Sequence, residues 1–145
     1  MLSNHQVADA FELLADLLRL KDATAYRFEV IAYQRAAEAL RELPRDVRQL
    51  AAEGRLQEID GVGKAIAAKI VELLTSGTLS LLEELKREIP QGLVDVLRVN
   101  GVGPKKAMLF YQQLGITSVA ELAAAAREGK LRSLQTMGVK SEQKI

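Results

Sequence analysis

Two short stretches carry the residue types best suited to hold a charged ligand: Ile59-Asp60-Gly61-Val62-Gly63 and Val99-Asn100-Gly101-Val102-Gly103, 40 residues apart. In each, two glycines flank a valine, and an alanine follows four places after the second glycine (Ala67, Ala107). Glycines permit a tight turn with positive φ. The valine can plug back between the flanking helices. The second glycine opens a helix whose first amides lack an internal partner. Those N–H groups, with the positive end of the helix dipole, suit a phosphate oxygen, and the missing Cβ lets a nucleic-acid strand come close. Lys64 supplements the first copy, and Lys105 and Lys106 the second. Contacts of this kind read backbone and not bases, so binding would be independent of sequence and sensitive to salt. Carbonyls turned inward in such a hairpin can also hold a monovalent cation, Na+ or K+, bridging to the phosphate.

A plain helix-turn-helix, with glycines serving only as turns, is the simpler alternative. Matched aliphatic, glycine and alanine positions in two copies weigh against it. A dinucleotide-binding fingerprint fails on detail. Its third small residue would fall at Ile66 or Lys106, and no convincing strand precedes either copy.

The elements that must position these corners are helical. Ser3 with Gln6 reads as a capping box, followed at helical spacing by Val7, Phe11, Leu14 and Leu18. Thr24 is expected to cap a second helix with Phe28, Ile31, Ala32, Arg35, Ala36 and Leu40 along one side, ended by Leu43-Pro44. A short helix runs from Asp46 to Glu53 and closes at Gly54. After the first corner comes a helix with Ile66, Ile70, Leu73 and Leu74 on its apolar face, stopped by Gly77. Helices are then expected over Leu79 to Ile89, Gly92 to Val99, from the second corner to Leu114, and from a Ser118 cap to Arg127. A third, imperfect copy, Met137-Gly138-Val139-Lys140, lies near Ile145. The architecture expected is all-α, with subdomains at 1–82 and 83–145 that each hold one helix-hairpin-helix motif.

Composition narrows the function. Hydrophobic residues make up 48% of the 145, so a packed core is attainable. Aromatics are only 4% and prolines 3, which favours helix over sheet. The chain has no cysteine and a single histidine, His5. Disulfides, thiolate or histidine zinc sites and a Ser-His-Asp triad are therefore excluded. No apolar run reaches the roughly 18 residues of a membrane span, and Asp9 and Glu12 interrupt any signal-like start. No membrane partner and a cytoplasmic, nucleoid-associated place are the expectation. A net charge of +1 means that any basic surface must come from local arrangement.

Gly61-Val-Gly-Lys-Ala-Ile-Ala-Ala-Lys69-Ile70, with Glu72-Leu-Leu-Thr-Ser-Gly77-Thr-Leu79, resembles the amino-terminal lyase domain of family X (polymerase beta-like) DNA polymerases. Ala32-Tyr33-Gln-Arg35-Ala-Ala-Glu-Ala-Leu40 resembles the second helix of that domain. Arg98-Val-Asn-Gly101-Val-Gly-Pro104 and Leu114-Gly-Ile-Thr-Ser-Val-Ala-Glu-Leu122 resemble the family's second hairpin subdomain. The bacterial members are the nearest in kind. The resemblance implies a monomeric clamp on gapped or nicked DNA, through Gly61, Val62, Gly63, Lys64, Arg35, Gly101, Val102, Gly103, Lys105 and Lys106. It implies monovalent-cation carbonyls at Gln57, Ile59 and Val62, and at Leu97, Val99 and Val102. The family's Gly-Ser-x-Arg-Arg-Gly stretch and divalent-metal aspartates are not found before Ile145. The chain by itself is therefore expected not to polymerise, and it reads as an excerpt of a DNA repair polymerase.

The resemblance also implies chemistry at Lys69, the position of a lysine that attacks C1′ of a 5′-deoxyribose phosphate and forms a Schiff base. Tyr33 stands where the family holds the 5′-phosphate. The reaction needs a neutral amine. Family lysines are replaced here by Glu29, Gln57, Ala65 and Leu81, and Glu29 would repel the phosphate. The alternatives are a lyase acting through Lys69, a solvated or phosphate-contacting Lys69, and a helix-hairpin-helix scaffold that recruits repair proteins.

Overall fold

The computed structural model describes residues 2–131. Among them the chain is all-α, with eight α-helices and one short 3-10 turn. The third glycine copy at Met137–Lys140 lies outside the described residues. The chain divides into two compact units between Arg87 and Glu88, five residues beyond the boundary expected at 82/83. The helix Ser80–Glu88 keeps Leu82 and Leu85 buried, and almost all of it falls in the first unit.

The first unit is built on a helix pair, α1 (Asn4–Asp22) and α2 (Arg27–Glu42). Ser3 accepts from the Gln6 N–H while the Gln6 side chain accepts from the Ser3 N–H, the capping box read from the sequence. Val7, Phe11, Leu14 and Leu18 are buried as their spacing required. Each such side chain contributes about 1.5–3 kcal/mol on burial. Arg41 of α2 reaches back to Asp9 at 2.7 Å and Glu12 at 2.6 Å on α1. Asn4 donates to the Arg45 carbonyl at 2.6 Å and accepts from the Val47 N–H at 2.8 Å, tying the start of α1 to the entry of α3 (Val47–Ala52).

The second helix departs from its expected start and face. Its N-cap is Tyr26, not Thr24, and no side chain caps it. The buried side is Val30, Tyr33, Ala36, Ala37 and Leu40. Phe28 is 70% exposed and Ile31 46%. Apolar residues lie on both sides of this helix, and contact with α1 selects the side carrying Tyr33, whose ring lies 5.8 Å from that of Phe11. Outside, the Arg27 guanidinium covers the Phe28 ring at 4.8 Å.

After α3, capped by Asp46 and closed at Gly54 with φ +69°, a 3-10 turn at Leu56–Glu58 leads into the first corner. Helix α4 (Lys64–Ser76) follows and ends at left-handed Gly77. It meets α5 (Ser80–Glu88) at 84°. Among the described residues no single helix is long and apolar enough to cross a membrane.

The second unit holds α6 (Gly92–Leu97), α7 (Gly103–Leu114) and α8 (Val119–Arg127). Leu93, Val96, Leu97, Phe110, Ile116 and Leu122 form its core. Gly92 opens α6 against the link between α7 and α8. A Cβ there would overlap the Thr117 carbonyl oxygen and lie 3.1 Å from its carbon. Ser118 caps α8 by accepting from the Glu121 N–H at 3.1 Å.

Candidate functional site

Both corners are built alike up to their first glycine. Ile59 accepts from the Val62 N–H at 3.0 Å, and Val99 from the Val102 N–H at 3.1 Å. Each bond closes a tight turn that only a positive φ completes, and Gly61 (+82°) and Gly101 (+85°) supply it. Val62 and Val102 are 5% and 6% exposed, so both valines plug inward as their spacing required. Gly61, Gly63 and Gly101 lie at the surface, and Gly103 is half-buried.

The second glycines differ. Gly63 has φ −93° and ψ −170°, an extended conformation open to any residue, and a Cβ there would meet no atom within 4 Å. Nothing inside the fold requires glycine at that position. Helix α4 gains its first backbone bond only at Ala67, whose N–H donates to the Gly63 carbonyl at 2.9 Å, and no side chain caps it. The N–H groups of Lys64, Ala65 and Ile66 therefore remain open to an outside acceptor. Gly103, by contrast, has φ +70°, which the backbone itself demands of a glycine. Pro104 in the first turn of α7 has no N–H to offer.

Cations stand near both corners. Lys64 and Lys105 are exposed. Lys106 is partly covered, and its Nζ donates to the Gly101 carbonyl at 3.1 Å. Arg35 reaches the first corner from α2, its Cβ and carbonyl oxygen lying 3.8 and 3.9 Å from where a Gly61 Cβ would be. Arg35, Glu38, Glu42 and Asp60 line a cleft of about 390 Å³ beside Gly61. Neutral, hard carbonyl oxygens such as those of Gln57, Ile59 and Val62 are of the kind that suits a monovalent cation. At Leu97, Val99 and Val102 the donor set is the same, but the Lys106 ammonium already lies on a carbonyl of that turn. Among the described residues no group of three or more His, Cys, Asp or Glu is placed to hold a metal ion.

Lys69 and Tyr33 are less open than Gly61, Gly63 and Gly101. Lys69 is half-buried on α4. Glu72, one turn on, accepts from the N–H and Oγ of Ser80 at 2.7 and 2.9 Å. Those hydrogen bonds, and more weakly the Lys69 charge, hold its carboxyl below the usual range. Tyr33 is 8% exposed and packs on Phe11. Burial, then the charge of Glu29, pushes its hydroxyl above the usual range. Residue identities alone do not reveal that Lys106 folds back onto its own corner or that the two second glycines differ, because both depend on backbone torsions.

The helix-hairpin-helix domain model matches residues 2–79, more than half of the chain. The chain belongs to the helix-hairpin-helix domain family. A second model, the SAM-like helix-hairpin-helix tandem, matches residues 93–145. The chain is 36% identical over 118 residues to DNA polymerase/3'-5' exonuclease PolX of Bacillus subtilis, covering 81% of this chain and 20% of the relative. It is 26% identical over 137 residues to DNA polymerase lambda of Rattus norvegicus, covering 94% of this chain and 22% of the relative. The chain thus spans about a fifth of the length of the curated relatives it matches. The resemblance stated above, to the helix-hairpin-helix segment of a family X polymerase, is what these matches support.

Proposed function

We propose that this chain binds the sugar-phosphate backbone of gapped or nicked duplex DNA, without reading sequence, as the DNA-gripping part of a family X repair polymerase. Gly63 carries this reading. A glycine with ordinary torsions, empty space where a Cβ would go and open amides after it has no use inside the protein. It has a clear use if another molecule's backbone must come close. The names of the two polymerase relatives agree with that ligand.

In this mechanism the open N–H groups at the start of α4 take one phosphate, with Lys64 and Arg35 adding charge at the rim. The second corner takes another, with Lys105 and Lys106 beside it. Two corners on one chain suit two backbone stretches flanking an interruption. A monovalent cation held by the carbonyls of Gln57, Ile59 and Val62 would add positive charge next to the bound phosphate. Lys69, half-buried on α4, serves in this reading as a further phosphate contact and not as a nucleophile.

Fluorescence anisotropy with a labelled duplex containing a one-nucleotide gap tests this. Tight binding at low salt should weaken on a log–log plot by about 0.9 per phosphate neutralised, equally for unrelated sequences. Failure to bind at low salt, or a strong preference for one sequence, would overturn the proposal.

A further inference from the structure

The two corners differ in charge. In register, Ile66 of the first repeat corresponds to Lys106 of the second, and Asp60 to Asn100. Ile66 is buried. Lys106 is partly exposed, and its ammonium sits on the Gly101 carbonyl at 3.1 Å, one residue before the plugged Val102. An ammonium has three donors, so two remain for another acceptor. Pro104 takes a backbone N–H away from this corner, while Lys105 beside it is exposed. The second corner thus carries its own fixed cation, where the first has an apolar side chain and a carboxylate.

We propose that Lys106 is a tethered cation of the second corner. It bridges the Gly101 carbonyl to a DNA phosphate oxygen and supplies the positive charge that a monovalent ion would otherwise bring. The proposal rests on the DNA-backbone function above. Like charges within one turn repel, so this corner does not fit a Na+ or K+ site at Leu97, Val99 and Val102. The first corner, with neutral Ile66 in that place, keeps its fit at Gln57, Ile59 and Val62. The chain then grips DNA through one ion-dependent and one ion-independent corner.

The test compares gapped-duplex affinity in KCl and in tetramethylammonium chloride at equal ionic strength, the organic cation being too large to sit among carbonyls. Gly63→Asp, which caps α4 and repels phosphate, leaves the second corner as the main grip. The affinity of this variant should change less than about twofold on exchanging the salts. Adding Lys106→Gln should lower it about tenfold in tetramethylammonium, with part of the loss restored in KCl. Lys106→Arg keeps the charge and should keep the ion independence, which guards against a glutamine variant that folds poorly. The proposal is overturned if the Gly63→Asp chain loses binding on the exchange or does not bind at all. It is equally overturned if Lys106→Gln changes affinity in neither salt, or if Lys106→Arg becomes ion-dependent. The unchanged chain separates the two levels: if it fails to bind, the DNA-backbone function falls and this inference with it.

Discussion

Gly63→Ser should make the protein more stable and bind DNA worse. The backbone at Gly63 is extended, at φ −93° and ψ −170°, and nothing lies within 4 Å of a Cβ there. The introduced serine would occupy an N-cap that now has no side-chain bond, and its hydroxyl would accept from an open N–H of Ala65 or Ile66. A serine cap exceeds a glycine cap by a few tenths of a kcal/mol. Restricting the unfolded chain adds about 0.4–1 kcal/mol. The sum, about 0.5–1.5 kcal/mol, raises Tm by roughly 3–8 °C for a unit of this size. The same hydroxyl competes with phosphate for the amides, and the new side chain blocks close approach. Losing one charge-assisted hydrogen bond of about 1.5–3 kcal/mol weakens binding about 10- to 100-fold. Circular dichroism melts and anisotropy with a gapped duplex read the two effects on one sample. A raised Tm with unchanged affinity would show that Gly63 does not face the ligand. A lowered Tm would show that the fold itself needs glycine there.

Gly92→Ala should destabilise the second unit by about 2–4 kcal/mol, because the added methyl meets the Thr117 backbone and not a yielding side chain; urea titration measures this, and a loss below about 1 kcal/mol contradicts the packing described. Glu72 gives stability a pH dependence of definite sign. Its folded carboxyl lies below the ordinary 4.5, so its contribution is complete above that value and is lost as pH falls through the lower folded value. Melts between pH 7 and pH 3 should show Glu72→Gln losing less stability on acidification than the unchanged chain. Borohydride trapping on DNA with a 5′-deoxyribose phosphate should give no adduct through Lys69; an adduct that disappears in Lys69→Ala would establish a lyase in place of the phosphate contact.

Much of the fold was legible because it rests on local signals. Ser3 with Gln6, Asp46 with Gly54, Gly77, Gly115 and Ser118 all mark helix ends where the structure has them. The repeated glycine corners announced themselves, and so did their plugged valines. The second helix was misplaced because its sequence offers apolar residues on two sides. Only the partner helix decides that Val30 and Tyr33 turn inward while Phe28 and Ile31 stay out. The 3-10 turn at Leu56–Glu58 was missed, since three residues are too few to show a period. The folding of Lys106 onto Gly101 depends on the torsions of the turn between them, which residue identities leave undetermined.

The valine plugs have a consequence for local breathing. The Val62 amide is bonded to Ile59 and its side chain is sunk in the core, yet the Lys64 and Ala65 amides, one and two residues beyond the adjacent Gly63, have no internal partner. In deuterated solvent, protection should fall abruptly across this single turn. Val62 should exchange only when the surrounding packing opens, and its neighbours almost at the rate of free peptide. The corner is thus a rigid frame around a deliberately bare edge, whose shape is already set before any ligand arrives.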